Sequence, residues 1–197
     1  MKDKIIIGLT GKYCSGKNHI GKIIESRGIP VLDVDTLGHR AIETEKDIIL
    51  ARFGDDILGD DGQINRKILG ARVFNHPDEL AALEEIIHPA ANRETLAWID
   101  RCVEKACVIN AALLHRSAVF ELLRGVIIVK APLPIRLLRA KKRDRIPWTA
   151  IIKRMNSQKN FHSQYFGEST DIHIVENSVF YKPENRIDEI LSLFGAI

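Results

Sequence analysis

The stretch KIIIGLTGKYCSGKNHIGKIIESRG, residues 4–28, decides how the rest of the chain is read. Residues 4–9 are a short β-rich run, and residues 17–27 put Ile20, Ile23 and Ile24 on one helical face before Gly28, a suitable stop. Between them Gly11-Lys12-Tyr13-Cys14-Ser15-Gly16-Lys17 fits G-x-x-x-x-G-K, placed after a strand and before a helix. Glycines there allow a tight turn and close backbone approach. Successive N–H groups then face phosphate oxygens, helped by the positive end of the helix. The pattern predicts that Lys17 bridges the β- and γ-phosphates of a bound nucleotide. The next residue is Asn18, where the pattern asks for a Ser or Thr hydroxyl to ligate Mg²⁺. An amide oxygen is also a hard-cation ligand, so Asn18 either serves the metal or caps the helix.

Working outward, residues 29–32 read as a second strand closing on Asp33. The spacing predicts a helix over 36–53, a turn-rich loop over 54–62, and helices over 66–74, 77–87 and 89–105. Apolar runs at 106–110 and 126–130 have the unalternating pattern of buried strands. Basic helices follow over 134–145 and 148–160, broken at Ile146-Pro147, then a strand over 172–175 and a closing helix over 185–194. Strands separated by helices imply an α/β fold with a parallel sheet and crossover connections. About 70 helical residues between the second and third strands exceed any single crossover. They read as a helical substrate-binding insertion.

The chain has 197 residues, 45% hydrophobic and 28% charged, which suits one globular domain and excludes a fibrous or wholly disordered chain. No apolar run approaches the ~18–20 residues of a membrane helix, and the apolar residues near the start are too few for a signal-peptide core. Three cysteines, Cys14, Cys102 and Cys107, lack metal-ligand spacing. That usage fits a reducing, cytoplasmic setting. Residues 130–159 hold ten basic residues and one acid, Asp144, while the net charge of the whole chain is only +3. Such a cluster is a solvated helix face, a nucleic-acid contact or a polyphosphate site. No nucleic-acid module pattern accompanies it, and the glycine-rich loop favours phosphate.

These motifs together resemble the dephospho-CoA kinase family along the whole length. The resemblance is carried by GLTGKYCSGK, by LDVDTLGH over 32–39, and by FGDDILGDDGQINRKILGARVF over 53–74. It continues in His88-Pro89, in INAALL over 109–114, in Arg143-Asp144 followed by Arg154-Met155-x-x-Gln158, and in HIVENS over 173–178. It implies a three-layer P-loop NTPase fold with a five-stranded parallel sheet, a helical CoA-binding insertion over 36–105 and a helical lid over 136–159. The core would then be 1–35, 106–135 and 160–197. The implied reaction moves the γ-phosphate of ATP to the 3′-hydroxyl of dephospho-CoA.

For that chemistry the candidates are Lys17 and Arg143 as charges on the transferring phosphoryl group, and a carboxylate to receive the hydroxyl proton. Asp33 and Asp35 both follow the second strand, and strand alternation would point them to one side. The family pattern places the catalytic role at Asp35. Gly11, Cys14, Ser15, Gly16, Lys17, Asn18, His19, Arg143 and Asn177 are the expected nucleotide contacts; Asp35, Arg66 and His88 are the expected acceptor contacts. Asn18 is the candidate Mg²⁺ ligand, with Asn110 standing where the family usually has an acid. The implied partners are ATP, Mg²⁺ and dephospho-CoA, with no nucleic acid and no membrane. Two other readings stay open: another nucleotide or nucleoside kinase of the same superfamily, or a nucleotide-binding regulator without catalysis.

Overall fold

Residues Ile5–Gly11 form β1, and alternation sends Ile7 and Leu9 to one face, where both are fully buried. The computed structural model describes residues 4–73, 76–158, 161, 171–178 and 181–197. Five strands, β1, β2 (Val31–Asp33), β3 (Ala106–Asn110), β4 (Gly125–Lys130) and β5 (Ile172–Glu176), make one sheet in the order β2-β3-β1-β4-β5. Every pairing is parallel. The α/β fold with a five-stranded parallel sheet is therefore as the sequence predicts.

One face of the sheet is sealed by α1 (Lys17–Glu25) and α8 (Glu184–Leu193). Ile20 and Ile24 of α1 and Ile187, Ile190 and Leu191 of α8 pack with Ile7, Leu9, Val108, Ile127, Val129 and Val175. On the other face Gly8 leaves room for Leu114 and Leu123, so a β-carbon there would collide with both. The register sets Leu9 beside Asn110 and Asn110 beside Asp33, so the carboxyl ends of β1, β3 and β2 finish level. This edge receives the glycine-rich loop.

The chain divides into two compact units, one of Met1–Asp33 with Asp100–Ile197 and one of Val34–Ile99. The second contains α2 (Val34–Thr44), α3 (Lys46–Phe53), α4 (Arg66–Val73) and most of α5 (Pro77–Arg101). Its own core is Ile49, Phe53, Ile57, Leu69, Val73 and Leu83. In the first unit, α6 (Leu133–Asp144) and α7 (Trp148–Asn156) form a hairpin. Its apolar residues Ala140, Ile151 and Met155 pack with Tyr13 and Cys14.

Three local expectations are corrected. The predicted helix over 36–53 is two helices, because Glu45 leaves helical angles at φ −99° and ψ 23°. The two helices predicted on either side of Pro89 are one, α5, running through the proline. Pro89 removes a single backbone donor, and buried residues on both sides, Leu83 before it and Ala90, Ala91 and Ile99 after it, offset the loss. Third, β2 stops at Asp33 and α2 begins at Val34, so strand alternation does not relate Asp33 to Asp35. Phe74 and residues 159–160, expected as helix ends, lie outside the described residues. Among the described residues no helix is long and apolar enough to cross a membrane.

Candidate active site

The loop after β1 is a turn closed by the Ser15 N–H donating to the Lys12 carbonyl at 2.9 Å. Cys14 takes the third place of that turn with φ 59°, a conformation uncommon outside glycine, and Gly16 follows at φ 98°. Gly16, the residue before α1, offers no side chain to cap the helix, and the positive end of α1 opens onto the loop. Gly16 is obligatory for a second reason: a β-carbon there would run into the Asn177 side-chain amide. Gly11 is confined likewise, with Ser15 Oγ 2.6 Å from where its β-carbon would stand.

The loop carbonyls are held from outside. Arg136 Nε donates to the Tyr13 carbonyl at 2.8 Å, and Arg139 Nη1 donates to the Ser15 carbonyl at 3.0 Å. Asn177 Nδ2 donates to the same Ser15 carbonyl at 2.9 Å. The Tyr13 N–H is donated to Gln158 and the Ser15 N–H to the Lys12 carbonyl, so the donors that suit an anion are those at the positive end of α1. Arg136 is 8% exposed and pairs with no carboxylate among the described residues; burial pulls its pKa below the ordinary arginine value. Arg139 also meets the Asn177 backbone carbonyl at 3.2 Å. Gly16, His19, Arg139 and Asn177 line a cleft that continues to Tyr181 and Pro183.

Asn18 does not cap the helix. Its Nδ2 donates to Asp33 Oδ2 at 3.1 Å, and its Oδ1 accepts from Asn110 Nδ2 at 3.0 Å. The carboxylate fixes this orientation, since the reverse would set two oxygens against each other. Asn110 is then left with Oδ1 buried and unpartnered. Among the described residues no group of three or more His, Cys, Asp or Glu forms a metal cluster. One carboxylate beside an amide oxygen nevertheless fits Mg²⁺, which takes few protein ligands and completes its shell with phosphate oxygens and water.

Arg143 lies at the end of α6. Its Nε donates to Asp144 Oδ1 at 2.6 Å, and its guanidinium sits 5.1 Å from the centre of the Tyr13 ring. Asp144 also accepts from Arg154 Nη1 at 3.0 Å and from the Tyr13 hydroxyl. Arg143, then burial-opposed bonding from Tyr13, holds the Asp144 carboxyl below the usual range. The basic stretch is thus organised around its one acid rather than merely self-repelling. The Cys14 thiol is pushed up by burial, so it stays protonated near neutral pH.

The structure brings Gly11, Cys14, Ser15, Gly16, Lys17, Asn18, His19 and Asn177 together, with Arg143 joined through Tyr13. Asp35, Arg66 and His88 belong to the helical unit. Asp35 is exposed in the first turn of α2, Arg66 is bonded to Glu43, and His88 is half-buried within α5. Sequence reasoning missed Tyr13 and Arg136. A bulky aromatic inside a glycine-rich loop was the available signal for the first. A basic residue on the buried face of a helix, which only the packing reveals, was the signal for the second.

Comparison with known proteins agrees with this geometry. The sequence profile of the dephospho-CoA kinase family matches residues 5–179. A dephospho-CoA kinase of Halalkalibacterium halodurans is 34% identical over 166 residues, 81% of this chain and 83% of that one. Another, from Treponema pallidum, is 30% identical over 182 residues, covering 87% and 86%. The crystal structure of TT1252 from Thermus thermophilus superposes with a TM-score of 0.81 at 27% identity, covering 98% of this chain and 97% of that one. The chain belongs to the dephospho-CoA kinase family.

Proposed function

We propose that this kinase transfers the γ-phosphoryl group of ATP to the 3′-hydroxyl of dephospho-CoA. A bond forms between the 3′-oxygen and the γ-phosphorus, the bond to the β–γ bridging oxygen breaks, and ADP and CoA leave. The observation that carries this reading is the loop itself. Its carbonyls are held outward by Arg136, Arg139 and Asn177, and the positive end of α1 opens onto it. The β- and γ-phosphates sit at that helix end with Lys17. The nucleoside extends into the cleft of His19, Arg139 and Asn177. The Asn177 amide serves the Ser15 carbonyl, so its part in nucleotide binding is to hold the loop rather than to read the adenine rim.

Asp35 orients the acceptor hydroxyl and receives its proton, and Arg143 meets the charge that spreads over the transferring group. A loose transition state asks for placement and charge more than for base strength. Mg²⁺ would be held by Asp33 and Asn18, and when bound it neutralises phosphate charge. Arg66 and His88 remain acceptor contacts, with residues 36–105 as the CoA-binding insertion and 136–159 as the lid. The setting is cytoplasmic, where both substrates are found with no membrane step.

The test is turnover of purified protein with ATP, Mg²⁺ and dephospho-CoA, with AMP, CMP and adenosine as alternative acceptors. CoA is the expected product, with the alternatives at least about a hundredfold slower, the discrimination open to a site that reads several substrate groups. Preference for one of the other acceptors, or ATP binding without transfer to any of them, overturns the proposal.

A further inference from the structure

Tyr13 is the one aromatic residue in the phosphate loop, and each of its bonding groups faces the α6–α7 hairpin or the residues just after it. Its N–H donates to Gln158 Oε1 at 2.5 Å, and its carbonyl accepts from Arg136 Nε at 2.8 Å. Its hydroxyl donates to Asp144 Oδ2, and its ring lies 5.1 Å from the Arg143 guanidinium. The same carboxylate takes Arg143 on its other oxygen at 2.6 Å and has only 13% of its side chain exposed. Tyr13 therefore touches Arg143 twice, directly through the ring and indirectly through Asp144.

We propose that Tyr13 is a positioning residue for phosphoryl transfer. It sets Arg143 through Asp144 and through its ring face, so the loop that holds the nucleotide phosphates also fixes the arginine aimed at them. The proposal rests on the reading that Arg143 meets the transferring group. The physical reason is pre-organisation. A free arginine carries rotamer entropy that must be lost when it grips a phosphoryl oxygen. Arg143 is 61% exposed at the side chain, so little packing restrains it apart from these contacts. A carboxylate alone is a pivot, because either oxygen serves the arginine equally. The Tyr13 hydroxyl and Arg154 hold Oδ2, so Arg143 makes its short bond, 2.6 Å, to Oδ1 and only a long one, 3.4 Å, to Oδ2. The ring then restricts the guanidinium to one plane. An arginine placed before the charge develops gives more stabilisation than one that reorganises during the step.

A purely structural role for Tyr13 makes a different prediction. The residue also packs with Ala140, Ile151 and Met155, and loss of packing would harm the enzyme whether or not Arg143 were present. A double-mutant cycle separates the two. Turnover and the KM for ATP are measured for Tyr13→Phe, Tyr13→Ala, Arg143→Ala and the two double variants. Tyr13→Phe keeps the ring and loses the hydroxyl; kcat should fall about three- to tenfold with KM for ATP within about twofold. Tyr13→Ala should lose about 30-fold or more, and either double variant should stay within about threefold of Arg143→Ala alone. Losses that multiply in the double variants, or near-normal kcat in both single Tyr13 variants, overturn the proposal. If Tyr13→Ala does not fold, the cycle is run on Tyr13→Phe, which preserves the packing. Wild-type turnover of dephospho-CoA reports on the functional reading separately, so a chain that turns over without the coupling refutes only the positioning role.

Discussion

The two units treat arginine differently. Residues 34–99 contain Arg40, Arg52, Arg66, Arg72 and Arg93, and each pairs with a carboxylate of the same unit: Glu94, Glu79, Glu43, Asp56 and Glu45. That unit holds 7 basic and 13 acidic residues, whereas the remainder of the chain holds 22 basic and 13 acidic. Around the phosphate loop Arg143 and Arg154 share Asp144, but two further arginines are placed otherwise. Arg136 and Arg139 bond to backbone carbonyls, which carry no net charge to cancel theirs. The difference teaches where an anionic ligand finds uncompensated charge. Arginines already neutralised by their neighbours contribute little to phosphate binding, so the proposed seat of the nucleotide phosphates is the loop and its hairpin.

The comparison can be broken most forcefully at Lys17. Lys17→Ala should reduce turnover by about 10²–10³ or more while leaving the thermal midpoint near wild type, because the side chain stabilises transferring charge and fills no core. Turnover within threefold would refute the loop assignment. A sharper cut falls where the units meet in sequence. Asp35→Asn should lower kcat by about tenfold to a hundredfold with little change in ATP affinity. Asp33→Asn should be milder in kcat and raise the Mg²⁺ concentration needed, since it loosens Asn18; the reverse ranking would move the chemistry to Asp33. The smallest effect is expected in the helical unit. Arg72 bonds Asp56 at 2.8 and 2.7 Å, yet both side chains are well exposed. Arg72→Ala should cost about 0–1 kcal/mol in urea unfolding and leave turnover within about twofold. A large loss of activity there would mean that its charge is not private to the unit.

Much of this was legible from residues near in sequence. The strand–loop–helix at 4–28, the unalternating strands and the Ile146-Pro147 break all depend on local periodicity or backbone chemistry, and all appear. What was not legible depends on packing. Pro89 reads as a stop because its cost is local, whereas the burial of Leu83, Ala90, Ala91 and Ile99 that sustains α5 through it is tertiary. By sequence Asn18 is a metal ligand or a helix cap; that its amide bonds Asp33 and Asn110 depends on both arriving at the same height of the sheet. Asp33 and Asp35 look like partners by strand alternation until the helix begins between them. Arg136 looks like one of ten interchangeable cations until it is seen to be buried.

The side chains that hold Tyr13 and Ser15 come from residues 136–177, far along the polypeptide. Tyr13 is tied to Gln158 across 145 positions, and Ser15 to Asn177 across 162. Closing such long loops is entropically costly and comes late in folding, after nearby contacts have formed. During synthesis the glycine-rich segment leaves the ribosome among the first residues, but it cannot acquire its phosphate-binding shape until β5 has been made and docked. Nucleotide affinity is therefore expected only after the sheet is complete. In a refolding experiment it should appear with the slowest phase, after the helical signal has recovered, and a fragment ending before β5 should show the helices without the affinity.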